Sequence, residues 1–223
     1  MTFFIFYKKM KQCCIIVPIY REFKGTEEKS LNQLFKIINN FDIICICPEY
    51  LDISFLKKYS FYEIKQLEDK NFVNIEAYNH LMLSANFYEM FTDYEFMLIY
   101  QLDAWCFRNR LKEWCNKGYD YIGAPWTDGK IGNGGFSLRK ISTCIKIMSD
   151  KNKLKEWLSK PSGFHNEDGY FSWYGGLNLP QCSEAINFSI ETYYNGVDLN
   201  ELFGCHKLYY WNKDLVNILH CYE

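Results

Sequence analysis

The sequence has no dense stripe of lysine and arginine; 25 basic residues are set against 27 acidic ones, for a formal charge of −2. A protein that lives on nucleic acid backbones needs a concentrated positive face, so a nucleic acid partner is not expected. Among the ten cysteines there is no Cys-x-x-Cys pair, which argues against a structural zinc site. There is no leader with an Ala-x-Ala-like cleavage site either, so the cysteines are expected to be reduced and the setting cytoplasmic. Cys13, Cys14, Cys45 and Cys47 lie in apolar runs, where free cysteine packs as a small hydrophobe. A bilayer-spanning run is missing too. The opening Met1 to Met10, with Phe3, Phe4, Ile5, Phe6 and Tyr7 before Lys8, Lys9 and Lys11, is too short to cross. It suits an edge strand, a disordered start, or a weak peripheral contact with an anionic membrane surface at its inner face. With no repeat, low-complexity tract or linker, the 223 residues read as one domain.

What is present is an ample core and an excess of rings: 48% of residues are apolar and 19% aromatic. Many Tyr and Trp stand beside Gly, Asn and Asp, a pattern that serves either core filling or stacking on the apolar face of a sugar.

Cys13 to Ile19 is a β-branched apolar run ended by Pro18 and the polar Tyr20-Arg21-Glu22, so it reads as a buried first strand. A helix follows, with Thr26 as cap, Glu27 and Glu28 at its positive end, and Leu31, Leu34, Phe35 and Ile38 on one face. Ile43 to Cys47 is a second strand. This order implies a parallel pair with a crossover, the opening of an α/β nucleotide-binding sheet whose ligand site gathers at the strands' carboxyl ends. Ile75, Tyr78, Met82, Ala85 and Glu89 mark another helix, and Phe96 to Tyr100 the central strand. Further helices are expected at Leu111–Cys115, Ile141–Met148, Leu154–Leu158, Glu167–Trp173 and Leu215–His220. Strands are expected at Tyr119–Ile122 and Gly135–Leu138. The lysines between Lys151 and Lys160 read as a solvated helix face.

The central strand ends in Asp103, an isolated carboxylate that needs a cation, donors or a wet cleft. It either binds a metal or diphosphate, or caps a loop; the second acid of an Asp-x-Asp motif is absent, since position 101 is Gln. Gly132-Asn133-Gly134-Gly135 is a tight turn or a backbone cradle for a sugar. In Asn166-Glu167-Asp168, two acids near a helix start either cap it or supply a general base. His206-Lys207 is a structural pair or a metal ligand beside a phosphate-binding cation.

The segments Val17-Pro18-Ile19-Tyr20, Tyr100-Gln101-Leu102-Asp103, Gly123-Ala124-Pro125-Trp126, Gly132 through Arg139, Asn166-Glu167-Asp168 and Phe203-Gly204-Cys205-His206 resemble the GT-A glycosyltransferases. The resemblance is closest to a family of small bacterial proteins long labelled a domain of unknown function. It implies one Rossmann-like α/β domain with a mixed, mainly parallel sheet flanked by helices. Its nucleotide-binding part would cover about 12–105 and its acceptor and catalytic part about 106–223. It implies a nucleotide-sugar donor, a UDP-sugar, held by Pro18, Tyr20, Arg21, Gln101, Asp103, Asn133, Gly134, Gly135 and Lys207. It further implies a saccharide or glycolipid acceptor near Trp126 and Asn166, and Mg²⁺ or Mn²⁺ on Asp103 and His206. Catalysis falls to Asp168, as base, and Glu167 in an x-Glu-Asp motif, with inversion of configuration and a role in bacterial surface polysaccharide or lipopolysaccharide assembly. A nucleotidyltransferase and a non-catalytic carbohydrate-binding module are the rival readings.

Overall fold

A computed structural model describes residues 9–160, 166–191, 197–198 and 200–207. Residues 1–8, residues 161–165 and the helix expected at Leu215–His220 lie outside the described residues. The two leading strands form where the apolar runs predict them, β1 at Lys11–Pro18 and β2 at Asp42–Pro48, joined by helix α1 at Glu27–Ile37. β3 (Glu63–Leu67), β4 (Tyr94–Tyr100), β6 (Tyr121–Ile122) and β7 (Phe136–Lys140) complete a sheet of order β3-β2-β1-β4-β7-β6. β3, β2, β1 and β4 run parallel, while β7 is antiparallel to β4 and to β6. The architecture is therefore the expected mixed, mainly parallel sheet, with Phe96 to Tyr100 in its middle.

The inner strands are apolar on both faces because helices cover both sides, as a parallel sheet requires. Cys14 to Val17, Cys45 to Cys47 and Met97 to Tyr100 are fully buried. The nine described cysteines are all free, and most are buried, which bears out their reading as core residues. Ring abundance is largely spent on the same core: Tyr88, Tyr100, Tyr121, Tyr170, Phe136, Phe171 and Trp114 are enclosed, and Tyr121 stacks on Phe171 at 4.2 Å.

Local departures have physical reasons. The helix expected from Ile75 to Glu89 is two, α2 (Ile75–Met82) and α3 (Ala85–Glu89), because Ser84 is extended. Thr26 stands at the cap of α1 without a capping side-chain bond. The Glu27 carboxylate instead accepts from the Lys24 amide at 2.8 Å. Sequence periodicity did not reveal β3, which is polar and short, or helix α8 (Cys182–Phe188). Nor did it reveal a small second sheet of β5 (Trp105–Cys106), β9 (Gly204–Cys205) and β8 (Ser189–Ile190). Two-residue strands leave no period to detect. α4 (Leu111–Asn116), α5 (Ile141–Ser149), α6 (Lys151–Leu158) and α7 (Glu167–Tyr174) form near their expected positions.

The loop from Gly123 to Asn133 depends on a missing side chain. A Cβ at Gly123 would collide with the Gly132 carbonyl and crowd that of Asn133, both backbone atoms that cannot rotate away. Gly123→Ala is therefore expected to lower stability by about 1–3 kcal/mol, as overpacking does. Urea unfolding measures it, and an unchanged midpoint would show that the loop moves freely.

Candidate active site

Topology explains which distant residues meet. β7 runs antiparallel to β4 with Tyr100 opposite Phe136, so Gly134 and Gly135, just before β7, lie beside Gln101 and Asp103, just after β4. The Gln101 amide donates to the Gly135 carbonyl at 2.8 Å and fixes that juncture. β5 pairs antiparallel with β9, Trp105 opposite Cys205, which brings Asp103 to His206. α1 holds the turn between β4 and β5 from below: the Ser30 hydroxyl donates to the Ala104 carbonyl at 2.6 Å and lies 2.9 Å from the Tyr100 hydroxyl.

The result is a cleft of about 560 Å³ at the carboxyl ends of β1 and β4. Pro18, Tyr20, Arg21, Gln101, Asp103, Asn133, Gly134, Gly135, Asn166, Glu167, Asp168, His206 and Lys207 all line it. Trp126 does not. Its ring lies against Gly132 and closes the 123–133 loop, so the acceptor contact expected of it has no geometric support.

On one side of the cleft, the buried His206 places Nε2 at 3.1 Å from both Asp103 Oδ1 and Gln101 Oε1. Its Nδ1 faces Glu191 at 3.6 Å, and Glu191 in turn pairs with the Lys207 ammonium at 2.7 Å. Burial disfavours the imidazolium, but Asp103 and Glu191 outweigh it and raise the His206 pKa. Burial likewise pushes the Asp103 carboxyl up, and the His206 hydrogen bond and charge bring it below its usual value. Burial acts upward on Glu191 too, yet His206 and Lys207 hold it down at about 2. Glu191 was not foreseen: it follows a two-residue strand and carries no motif.

The other side carries Asp168. Its Oδ2 accepts from the Gly134 amide at 2.9 Å and its Oδ1 from the Gly169 amide at 2.8 Å. Burial, then the neighbouring Glu167 charge, pushes its carboxyl up to about 6 against those two amides. Glu167 itself is buried and bound to Arg139 Nη2 at 2.7 Å. Its charge is thus committed inside the protein, and a direct proton-transfer role is not what this geometry offers. Arg21, similarly, makes a two-pronged pair with Glu27 at 2.7 Å on each prong and lies 5.1 Å from the Tyr20 ring centroid. A diphosphate would have to compete with Glu27 for it.

Asn133 adopts φ +46°, a left-handed conformation that Asn tolerates better than most residues. It is 4% exposed, and its Oδ1 has no hydrogen-bond partner among the described residues. A buried acceptor left open on a cleft wall is unfavourable in isolation and is satisfied when a ligand donates to it. At Gly135 a Cβ would enter the His206 ring, so only glycine lets the loop approach this closely.

Residues 61–206 match the family described as "Protein of unknown function (DUF5672)". The chain belongs to that family. The matched span includes β3 to β9 and every cleft acid discussed above except Glu27. No curated protein matches the DUF5672 chain. Among solved structures it is similar to S. aureus TarS 1–349 in complex with UDP-GlcNAc, at 15% identity and a TM-score of 0.43, over 63% of this chain and 47% of that one. It is also similar to a second structure of S. aureus TarS, at 12% identity and a TM-score of 0.46, over 76% of this chain and 35% of that one. The DUF5672 chain thus spans less than half the length of both. No helix among its described residues is long and apolar enough to cross a membrane.

Proposed function

We propose that this DUF5672 protein is a glycosyltransferase that moves a sugar from a nucleoside diphosphate donor, a UDP-sugar, to a hydroxyl of a saccharide or glycolipid with inversion of configuration. The observation that carries the reading is the joint lining of one cleft by a carboxylate raised to about 6, Asp168, and by the Asp103–His206 pair. The first suits proton removal near neutral pH, and the second suits the diphosphate end of a donor.

In this reading the acceptor hydroxyl gives its proton to the free face of Asp168 and attacks the anomeric carbon, while the bond to the diphosphate breaks. Two backbone amides keep Asp168 oriented for that transfer. Asn133 Oδ1 takes a hydrogen bond from a donor-sugar hydroxyl. Lys207 sits beside the diphosphate as a point cation. Asn166, at the cap of α7, borders the acceptor side.

Asp103 and His206 would be the two protein ligands of a divalent cation, Mn²⁺ or Mg²⁺, since no cluster of three metal-ligating side chains occurs among the described residues. Their facing atoms are 3.1 Å apart, near the ~3 Å that separates adjacent ligands of an octahedral ion with ~2.1 Å bonds. Glu191 on the far nitrogen is the type of partner that would hold a proton at Nδ1, so Nε2 would ligate once it gives up the proton it shares with Asp103. Such an ion would neutralise charge on the leaving group.

The test is a panel of nucleotide sugars, read by thermal stabilisation and by slow hydrolysis. One or more UDP-sugars should raise the unfolding midpoint and release UDP and free sugar. Release of a sugar 1-phosphate would instead mark a nucleotidyltransferase, and saccharide binding with no turnover of any donor would mark a binding module.

A further inference from the structure

The least expected group near the cleft is Arg139. Its strand, β7, alternates, and it places Ser137 and Arg139 on the face opposite Phe136 and Leu138. Arg139 is fully enclosed, and nearly every donor it has is used. Nε donates to the Ser137 hydroxyl at 3.0 Å, Nη1 to the Tyr88 hydroxyl at 3.0 Å, and Nη2 to Glu167 Oε1 at 2.7 Å and the Gly134 carbonyl at 3.3 Å. The guanidinium carbon also stands 5.7 Å and 5.4 Å from the ring centroids of Tyr121 and Phe171.

A buried ion pair is a costly way to fill a core, since apolar residues of the same volume stabilise as well or better. This pair has a specific neighbour, the peptide of Gly134. The Gly134 carbonyl accepts from Arg139 and from the Ser137 hydroxyl at 2.8 Å, while its amide donates to Asp168 Oδ2 at 2.9 Å. Its Cα is so close to the pair that a Cβ there would collide with Glu167 Oε1. Glu167 and Asp168 are consecutive in the first turn of α7. The guanidinium thus grips both supports of the Asp168 carboxylate, the loop that donates to it and the helix that carries it.

We propose that the Arg139–Glu167 ion pair is the positioning element of the site, locking the Gly134 peptide and the first turn of α7 together so that Asp168 is held in one orientation on the cleft wall. This deepens the reading of Asp168 as base and rests on it for the consequence in turnover. The groups facing Asp168 are Glu167 on its own helix, Arg139 from β7, the Tyr121 hydroxyl from β6, and the amides of Gly134 and Gly169. Glu167 raises the Asp168 pKa and Arg139 lowers it, so removing the Glu167 charge alone takes away the raising influence and leaves the lowering one in place.

The experiment uses the full chain and ¹³C-carboxyl NMR, with the Asp168 signal assigned by its absence in Asp168→Asn. Wild type should titrate near pH 6, and Glu167→Gln, which abolishes the ion pair and leaves Arg139 only a weaker neutral acceptor, should titrate lower. Hydrolysis of a UDP-sugar at saturating pH should fall roughly 10- to 100-fold in kcat with donor Kd unchanged, the signature of a misplaced base. An unchanged Asp168 midpoint and kcat in folded Glu167→Gln overturns the proposal.

A second variant, Arg139→Met with Glu167→Gln, leaves no unpaired buried charge and so guards against simple unfolding. Its Gly134 amide should exchange faster and its shift should stop following the Asp168 titration. Retained protection and tracking would overturn the proposal independently of any assay. If instead the NMR changes occur and no UDP-sugar is ever turned over, the positioning stands and the glycosyltransferase reading fails.

Discussion

Asp168→Asn is expected to reduce turnover by roughly 10²- to 10⁴-fold while leaving donor affinity nearly unchanged, because the amide keeps the shape of the side chain but cannot take a proton. Its oxygen can still accept from the Gly134 amide, so the loop should stay in place, while its NH₂ gives up the bond that Oδ1 accepts from the Gly169 amide. In wild type the ionised base is the active form, and with its carboxyl raised to about 6, turnover should rise with pH up to that region and level off above it. The sign for stability is opposite. A carboxyl whose folded value exceeds its unfolded one, about 3.9, holds its proton more tightly in the native state. Stability is then lost as pH rises between the two values. Asp168→Asn lacks that loss, so the thermal midpoint of wild type minus that of the variant should fall as pH rises between about 3.9 and about 6. Stereochemistry supplies a separate check: an α-linked donor should give a β-linked product, read from the anomeric coupling in a proton NMR spectrum. Retention of configuration, or near-normal turnover in the variant, would falsify the base role.

Removal of Asp103 should act on binding. Asp103→Ala is expected to abolish the metal-dependent part of donor affinity, at least the roughly 10- to 100-fold that loss of even an outer partner of a metal ligand costs. The fold should survive, since the carboxylate is 35% exposed and the turn around it is held by Ser30 and Tyr100 rather than by Asp103 itself. His206→Ala should weaken the same metal response, with Glu191 still neutralised by Lys207. Calorimetric titration of UDP with and without Mn²⁺ decides both. Equal affinity with and without metal in wild type would remove the cation from the mechanism. A His206→Ala protein that unfolds while the folded remainder keeps its metal response would make that histidine a packing residue.

The sequence by itself determined the elements whose signals are short-range. Apolar runs closed by proline set β1 and β2, an amphipathic face set α1, and an apolar run ending in one carboxylate marked the end of β4 and hence the mouth of the site. Acids at a helix start placed Asp168 on the first turn of α7. Only the tertiary structure decided what those acids face. Gln101 and His206, 105 positions apart, touch because β5 and β9 pair antiparallel. Glu167 pairs with Arg139, Arg21 pairs with Glu27, and Trp126 lies outside the cleft lining, contacts that no motif reveals. Glu191 enters through a two-residue strand with no pattern of its own. The reason is range: periodicity, caps and turns depend on neighbours a few residues away. Whether a charged or aromatic side chain remains open to a ligand depends on strand order and close packing, which join residues far apart in the chain.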